Sequence, residues 1–205
     1  MGRPRAFDRD RAVDQAMLLF WRHGFDSTSL SRLKDELGIS AASFYAAFNS
    51  KEDLFREAVD RYIDSYGKAS APLWNTAISP LQALRQALQD SAAMQTDRRH
   101  PLGCLLVVAV TTSSVENEHL QRLLVKARSR LRAGIKACLT RASEAHELND
   151  SVDVDTLSEM FCVFLFGITT QARDGIPLGA LERAIDGMMR FIQRDLSGPP
   201  VRKFR

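Results

Sequence analysis

The chain has 205 residues, of which 45% are hydrophobic and 26% charged, with a formal net charge of +3; this is the profile of a folded globular protein with a sizeable core. Its longest apolar run, residues 102–110, falls well short of the roughly 20 residues a membrane span needs. The N-terminus MGRPRAFDRDR has no apolar stretch of the secretory kind, and the three cysteines (Cys104, Cys138, Cys162) are odd in number and far apart, so a cytoplasmic protein with free thiols and no membrane partner is expected.

Charge says little about partners. Residues 1–66 hold ten Lys/Arg and eleven Asp/Glu, and only the tips are basic, with Arg3 and Arg5 at the start and Arg202, Lys203 and Arg205 at the end. A nucleic-acid interface here has to rest on pattern and local placement.

In chain order the pattern is helical almost throughout. Residues 8–23 place Ala12, Val13, Ala16, Met17 and Phe20 on one face, and Gly24 stops that helix. Thr28 or Ser29 can cap the next, which carries Leu30, Leu33 and Leu37 and stops at Gly38. Ser40 caps a short uncharged helix, 41–48, and Ser50 with Asp53 starts a fourth. Residues 67–80, rich in Gly, Ser and Pro, are expected to be a hinge. Beyond it, helices are expected over 81–95, from Pro101 through Val110, over 117–146, over 154–172 and over 178–196. Residues 154–172 are apolar nearly all round.

Two short helices joined by a tight turn at Gly38 predict a helix-turn-helix, whose second helix enters the major groove of DNA. Ala41, Ala42, Ala46 and Ala47 can approach bases closely and pack on thymine methyls. Ser40, Ser43 and Tyr45 offer hydroxyls for phosphates, and Lys51 offers a cation beside the free N–H groups of the next helix. Phe44 and Phe48, four apart, are expected to point into the core. The basic residues of 122–141 read as a solvated helix face.

The stretch GFDSTSLSRLKDELGISAASFYAAFNSKEDLF, with GRPRAFDRDRAV before it, resembles the DNA-binding signature of TetR-type transcriptional regulators over residues 8–60. The resemblance implies an all-α homodimer in two parts. Residues 1–66 would be a three-helix helix-turn-helix domain binding a double-stranded DNA operator. Residues 67–205 would be a helical domain for dimerisation and for a small-molecule effector. By position, the DNA contacts would be Thr28 or Ser29, Ser31, Arg32, Ser40, Ala41, Ala42, Ser43, Tyr45 and Lys51. The aromatic or His common after the tyrosine is Ala46–Ala47 here, which gives Arg3 and Arg5 weight as a minor-groove arm. The function implied is a ligand-responsive repressor.

Cys104, Leu105, Val108, Phe161 and Phe164 are the expected pocket lining. Phe161, Phe164, Leu165, Ile185, Met188 and Ile192 are the expected dimer interface, because 154–172 has more apolar faces than one core can use. Cys104 follows Pro101 and Gly103 in what reads as the first turn of a helix, where N–H groups favour a thiolate. Sensing of oxidants or electrophiles through Cys104 is therefore the alternative to a reversible effector, with an adaptor as the other rival. No phosphate loop, nucleophile elbow or His-Glu-x-x-His is present, so no enzyme is expected. None of His23, His100, His119 and His146 is read as a metal ligand, and no cofactor is expected.

Overall fold

The structure, a computed structural model, describes residues 8–110 and 117–193. All regular structure among the described residues is helical. In chain order it comprises α1 (Arg9–His23), α2 (Leu30–Leu37), α3 (Ala41–Phe48), α4 (Lys51–Asp64), a 3-10 segment (Tyr66–Trp74), α5 (Pro80–Thr96), α6 (Leu105–Val108), α7 (Glu118–Glu144), α8 (Val154–Arg173) and α9 (Leu178–Phe191). The chain divides into two compact units, Met1–Tyr66 with Cys104–Leu124, and Gly67–Gly103 with Val125–Arg205.

Local chemistry starts most of these helices. Asp8, Ser29, Ser40, Ser50, Ser79 and Asp153 each cap a helix with a side-chain oxygen that accepts a backbone N–H two or three residues on, which satisfies a donor the helix itself leaves unpaired. Gly38, in the left-handed region at φ 65°, ends α2.

In the first unit α1 packs along α4 and against α2, and α3 packs on α4. Phe20, Phe25 and Phe55 form an aromatic cluster there, Phe55 lying edge-on to the other two at 5.1 Å. Arg61 of α4 ties α1 down through Asp14 at 2.7 Å and Asp10 at 2.8 Å. The segment 104–110 joins this unit rather than the C-terminal one: α6 packs on α1 and α4, and the Phe25 N–H donates to the Ala109 carbonyl at 2.8 Å.

Pro101 does not open a helix as its position predicts. The Gly103 N–H donates to the Gln95 carbonyl, and Gly103 sits at φ 83°, where Thr169 and Arg173 would crowd a side chain. Helical backbone cannot pass through that conformation, so α6 begins after Cys104 and is only four residues long.

In the second unit the core joins Leu84 and Leu88 of α5, Ile135 and Leu139 of α7, Phe161, Leu165 and Ile168 of α8, and Ile185 and Met189 of α9. The expected hinge is in part ordered structure. Leu73 is buried in this core, its carbonyl accepts from Arg141 at 2.8 Å, and the Trp74 ring occupies the space a side chain at Gly134 would need. On α7, Arg132 and Lys136 pair with Glu159 and Asp155 of α8.

The expected dimer interface is corrected. Phe161, Leu165, Ile185 and Ile192 are buried in the subunit's own core, and a side chain with no surface left has none to lay against a second copy. Phe164 and Met188 are half-buried. The exposed large apolar side chains of α8 and α9 are Met160, Val163, at 70% exposure, and Phe191. Because α8 is apolar nearly all round, its pattern leaves the direction of the core face open, and packing sets it. Phe161→Ala is expected to lower the unfolding free energy by about 3–5 kcal/mol in urea titration; a loss below about 1 kcal/mol would mean that the residue is not in a packed core.

Candidate nucleic-acid interface

Residues 30–48 form a helix-turn-helix. The turn is closed by the Gly38 N–H on the Asp35 carbonyl and by the Ile39 N–H on the Lys34 carbonyl at 3.1 Å. Phe44 and Phe48 are buried and touch each other with ring centroids 5.5 Å apart. Arg9 secures α3 from outside: its guanidinium lies 5.1 Å over the Phe48 ring, pairs with Glu57 at 2.6 Å and donates through Nε to the Ala47 carbonyl at 3.3 Å. This positioning residue was not singled out from the sequence, where an arginine in the first turn of a helix reads as ordinary surface.

Ser29, Ser31, Arg32, Ser40, Ala41, Ala42, Ser43 and Tyr45 are all exposed, Tyr45 at 52%. Ala46 is exposed with them, whereas Ala47 is half-buried. Ser40 caps α3 by accepting the Ser43 N–H at 3.1 Å, and the two hydroxyls stand 3.0 Å apart. Of the pair Thr28 or Ser29, only Ser29 is available. Thr28 is fully buried and its hydroxyl donates to the Gly24 carbonyl at 2.6 Å, so Thr28 is corrected from a DNA contact to an internal brace. Arg3 and Arg5 lie outside the described residues.

Lys51 is half-buried, with Nζ 4.0 Å from the centroid of the Phe25 ring. Burial pulls its pKa below the usual lysine value, against the opposing charges of Asp26 and Glu52. Asp26 in turn accepts from Asn117 at 2.6 Å. The ammonium is thus held on the α4 N-terminus by a ring face and a nearby carboxylate instead of extending freely into solvent.

Residues 12–58 match the family of bacterial regulatory proteins, tetR family, and residues 80–188 match the tetracyclin repressor-like C-terminal domain. The HTH-type transcriptional repressor ComR of Escherichia coli (strain K12) is 34% identical over 93% of this chain and 91% of its own. The chain belongs to the TetR family. The uncharacterized HTH-type transcriptional regulator YezE of Bacillus subtilis (strain 168) is 25% identical over 91% of this chain and 96% of its own. Among solved structures, a cysteine mutant of the TetR family transcriptional regulator CifR, complexed with 26-bp double-strand operator DNA, is similar with a TM-score of 0.85 and 33% identity. The match covers 92% of this chain and 98% of that one. Membership of the TetR family makes the chain an all-helical, DNA-binding transcriptional regulator, and its relatives are regulators rather than enzymes. No helix among the described residues is long and apolar enough to cross a membrane.

The residues expected to line a pocket in this TetR-family chain are divided between the two units. Cys104, Leu105 and Val108 fall in the first unit, and Phe161 and Phe164 in the second. Leu105 and Phe161 are fully buried in packed cores. A cleft of about 440 Å³ in the second unit is lined by Ala93, Thr96, Leu102, Ala172, Ile176 and Leu178 among others, and by none of the five. Cys104 is the residue before a four-residue helix, and its sulfur accepts a hydrogen bond from the Tyr62 hydroxyl at 3.3 Å. So short a helix supplies little of the dipole that favours a thiolate. Burial pushes the thiols of Cys138 and Cys162 up. Thr28→Val keeps the side-chain shape and removes the hydroxyl. It is expected to cost about 1–2 kcal/mol of stability in urea titration while the folded protein binds its operator with unchanged Kd; tenfold weaker binding at unchanged stability would return Thr28 to the DNA face.

Proposed function

We propose that the chain is a homodimeric transcriptional repressor that binds a palindromic operator and is released by a small-molecule effector. One observation carries this reading. A helix-turn-helix with an exposed, uncharged second helix stands in a chain that is 34% identical to a transcriptional repressor over nearly its whole length. Residues 1–66 bind the operator, and residues 67–205 dimerise and hold the effector. Ser29, Ser31, Arg32, Ser40, Ser43, Tyr45 and Lys51 supply the phosphate contacts. These fix register and give affinity that falls with salt. The C-terminal match to a tetracyclin repressor-like domain supports an effector site there.

The dimer reading draws on the outer faces of α8 and α9. Met160, Val163 and Gly167 lie along one line of α8, and Ala184, Met188 and Phe191 along one line of α9. Gly167 and Gly187 have open space where a side chain would go, so a second backbone can come close. Burial of such a seam also pairs two recognition helices for the two halves of a palindrome.

Lys51→Ala is expected to weaken binding to every sequence alike and to flatten the plot of log K against log salt by about one unit. Tyr45→Phe is expected to weaken binding with no change in thermal stability. An unchanged slope for the first variant, or a full-strength complex from the second, counts against these phosphate contacts. Val163→Glu places a charge on the exposed line of α8. In light scattering at micromolar concentration the wild type is expected to have the mass of a dimer and the variant that of a monomer; equal masses would reject this seam.

A further inference from the structure

The outer face of α3 differs from a general DNA-reading surface in one chemical respect. The burial of Phe44 and Phe48 fixes the inner line of the helix. At about 100° per residue, the line opposite them carries Ala42 and Ala46, four residues apart and both exposed. Tyr45 stands on one flank and Ser43 on the other, and the Ser43 hydroxyl lies 3.0 Å from that of the cap residue Ser40. The helix reads AASFYAAF. It holds no guanidinium or ammonium to grip the O6 and N7 of guanine, and no carboxamide to grip the N6 and N7 of adenine.

A methyl group is what remains on the apex, and thymine alone among the bases shows a methyl in the major groove. Short side chains bring the helix near enough for methyl-to-methyl contact, at about 4 Å between carbons. Longer side chains at these two positions would hold the backbone away from the groove floor.

We propose that this chain selects its operator through thymine 5-methyl groups, read by the side-chain methyls of Ala42 and Ala46, and that α3 makes no hydrogen-bonded selection of guanine. The proposal rests on the DNA-binding reading above and adds to it the base chemistry that is recognised. The phosphate contacts then supply affinity without selection, and discrimination comes from a few buried methyls in each half-site.

The test begins with the full-length wild-type chain and an operator selected from a random duplex pool. Deoxyuridine is then placed at each half-site thymine in turn, which removes the methyl and keeps every pairing and hydrogen-bonding group. Burial of one methyl corresponds to about a fourfold change in Kd. A loss of that size is expected at the thymines beneath Ala42 and Ala46, once in each half-site, with no change at the others. Ala42→Gly and Ala46→Gly, each tested alone, are expected to bind the thymine and deoxyuridine operators equally at the position they face, so the readout is lost discrimination, whatever the absolute affinity. An operator bound equally well with all its half-site thymines replaced would overturn the proposal and leave DNA binding intact. So would a selected half-site whose fixed positions are all G·C. Failure to select any duplex would remove the DNA-binding reading and this proposal together.

Discussion

The face of α3 proposed to meet DNA depends on the burial of two phenylalanines. An eight-residue helix is not stable in water on its own, because nucleation costs more than so few hydrogen bonds return. α3 exists because Phe44 and Phe48 are withdrawn from solvent and because Ser40 supplies its first cap. Fully burying two such rings is worth about 3–6 kcal/mol, more than any exposed contact on the same helix. The packing of α3 therefore comes first and its reading face follows. Once the ring line is fixed, Ala42, Tyr45 and Ala46 have no direction but outward. Arg9 sets the C-terminal end by holding the Phe48 ring and the Ala47 carbonyl together.

The same ordering explains the two places where neighbouring residues of one chemistry part company. Thr28 and Ser29 both carry hydroxyls, but only one can be the last extended residue before α2. Ser29 takes the cap, and Thr28 turns inward onto the Gly24 carbonyl. In the second unit α8, apolar nearly all round in its middle, uses Phe161, Leu165 and Ile168 for its own core and leaves Met160 and Val163 to solvent. These two side chains and the open Gly167 lie along the line of α8 proposed above as the seam between two copies.

How much of this was legible in the sequence varies with the range of the interaction. Caps and stops were legible because they act within three residues: Ser40, Ser50 and Gly38 stand where serine and glycine must stand in any helix start or end. The inward pair Phe44 and Phe48 was legible from the spacing of four. The start of α6 was not, because it depends on the positive φ of Gly103, which sits against Thr169 and Arg173, distant in sequence. The ordered stretch through Trp74 was missed because Gly, Ser and Pro composition reports local preference, while Leu73 and Trp74 are held by Arg141 and the bare surface at Gly134. The phase of α8 was illegible because the run from Met160 to Ile168, apolar on nearly every face, offers little contrast to read. Ala46 departs from the family pattern but was legible as outward-facing from the inward pair, whereas Ala47, expected beside it, is half-buried.

The central claim is that α3, held by its two buried rings, is the surface that meets the operator. Hydrogen exchange of the full chain, free and saturated with operator duplex, tests this directly. Slowed exchange is expected in α2, α3 and the N-terminal turn of α4, with α5 and the buried core of α8 unchanged on the same timescale. Saturated binding with exchange across residues 30–51 unaltered would contradict the claim.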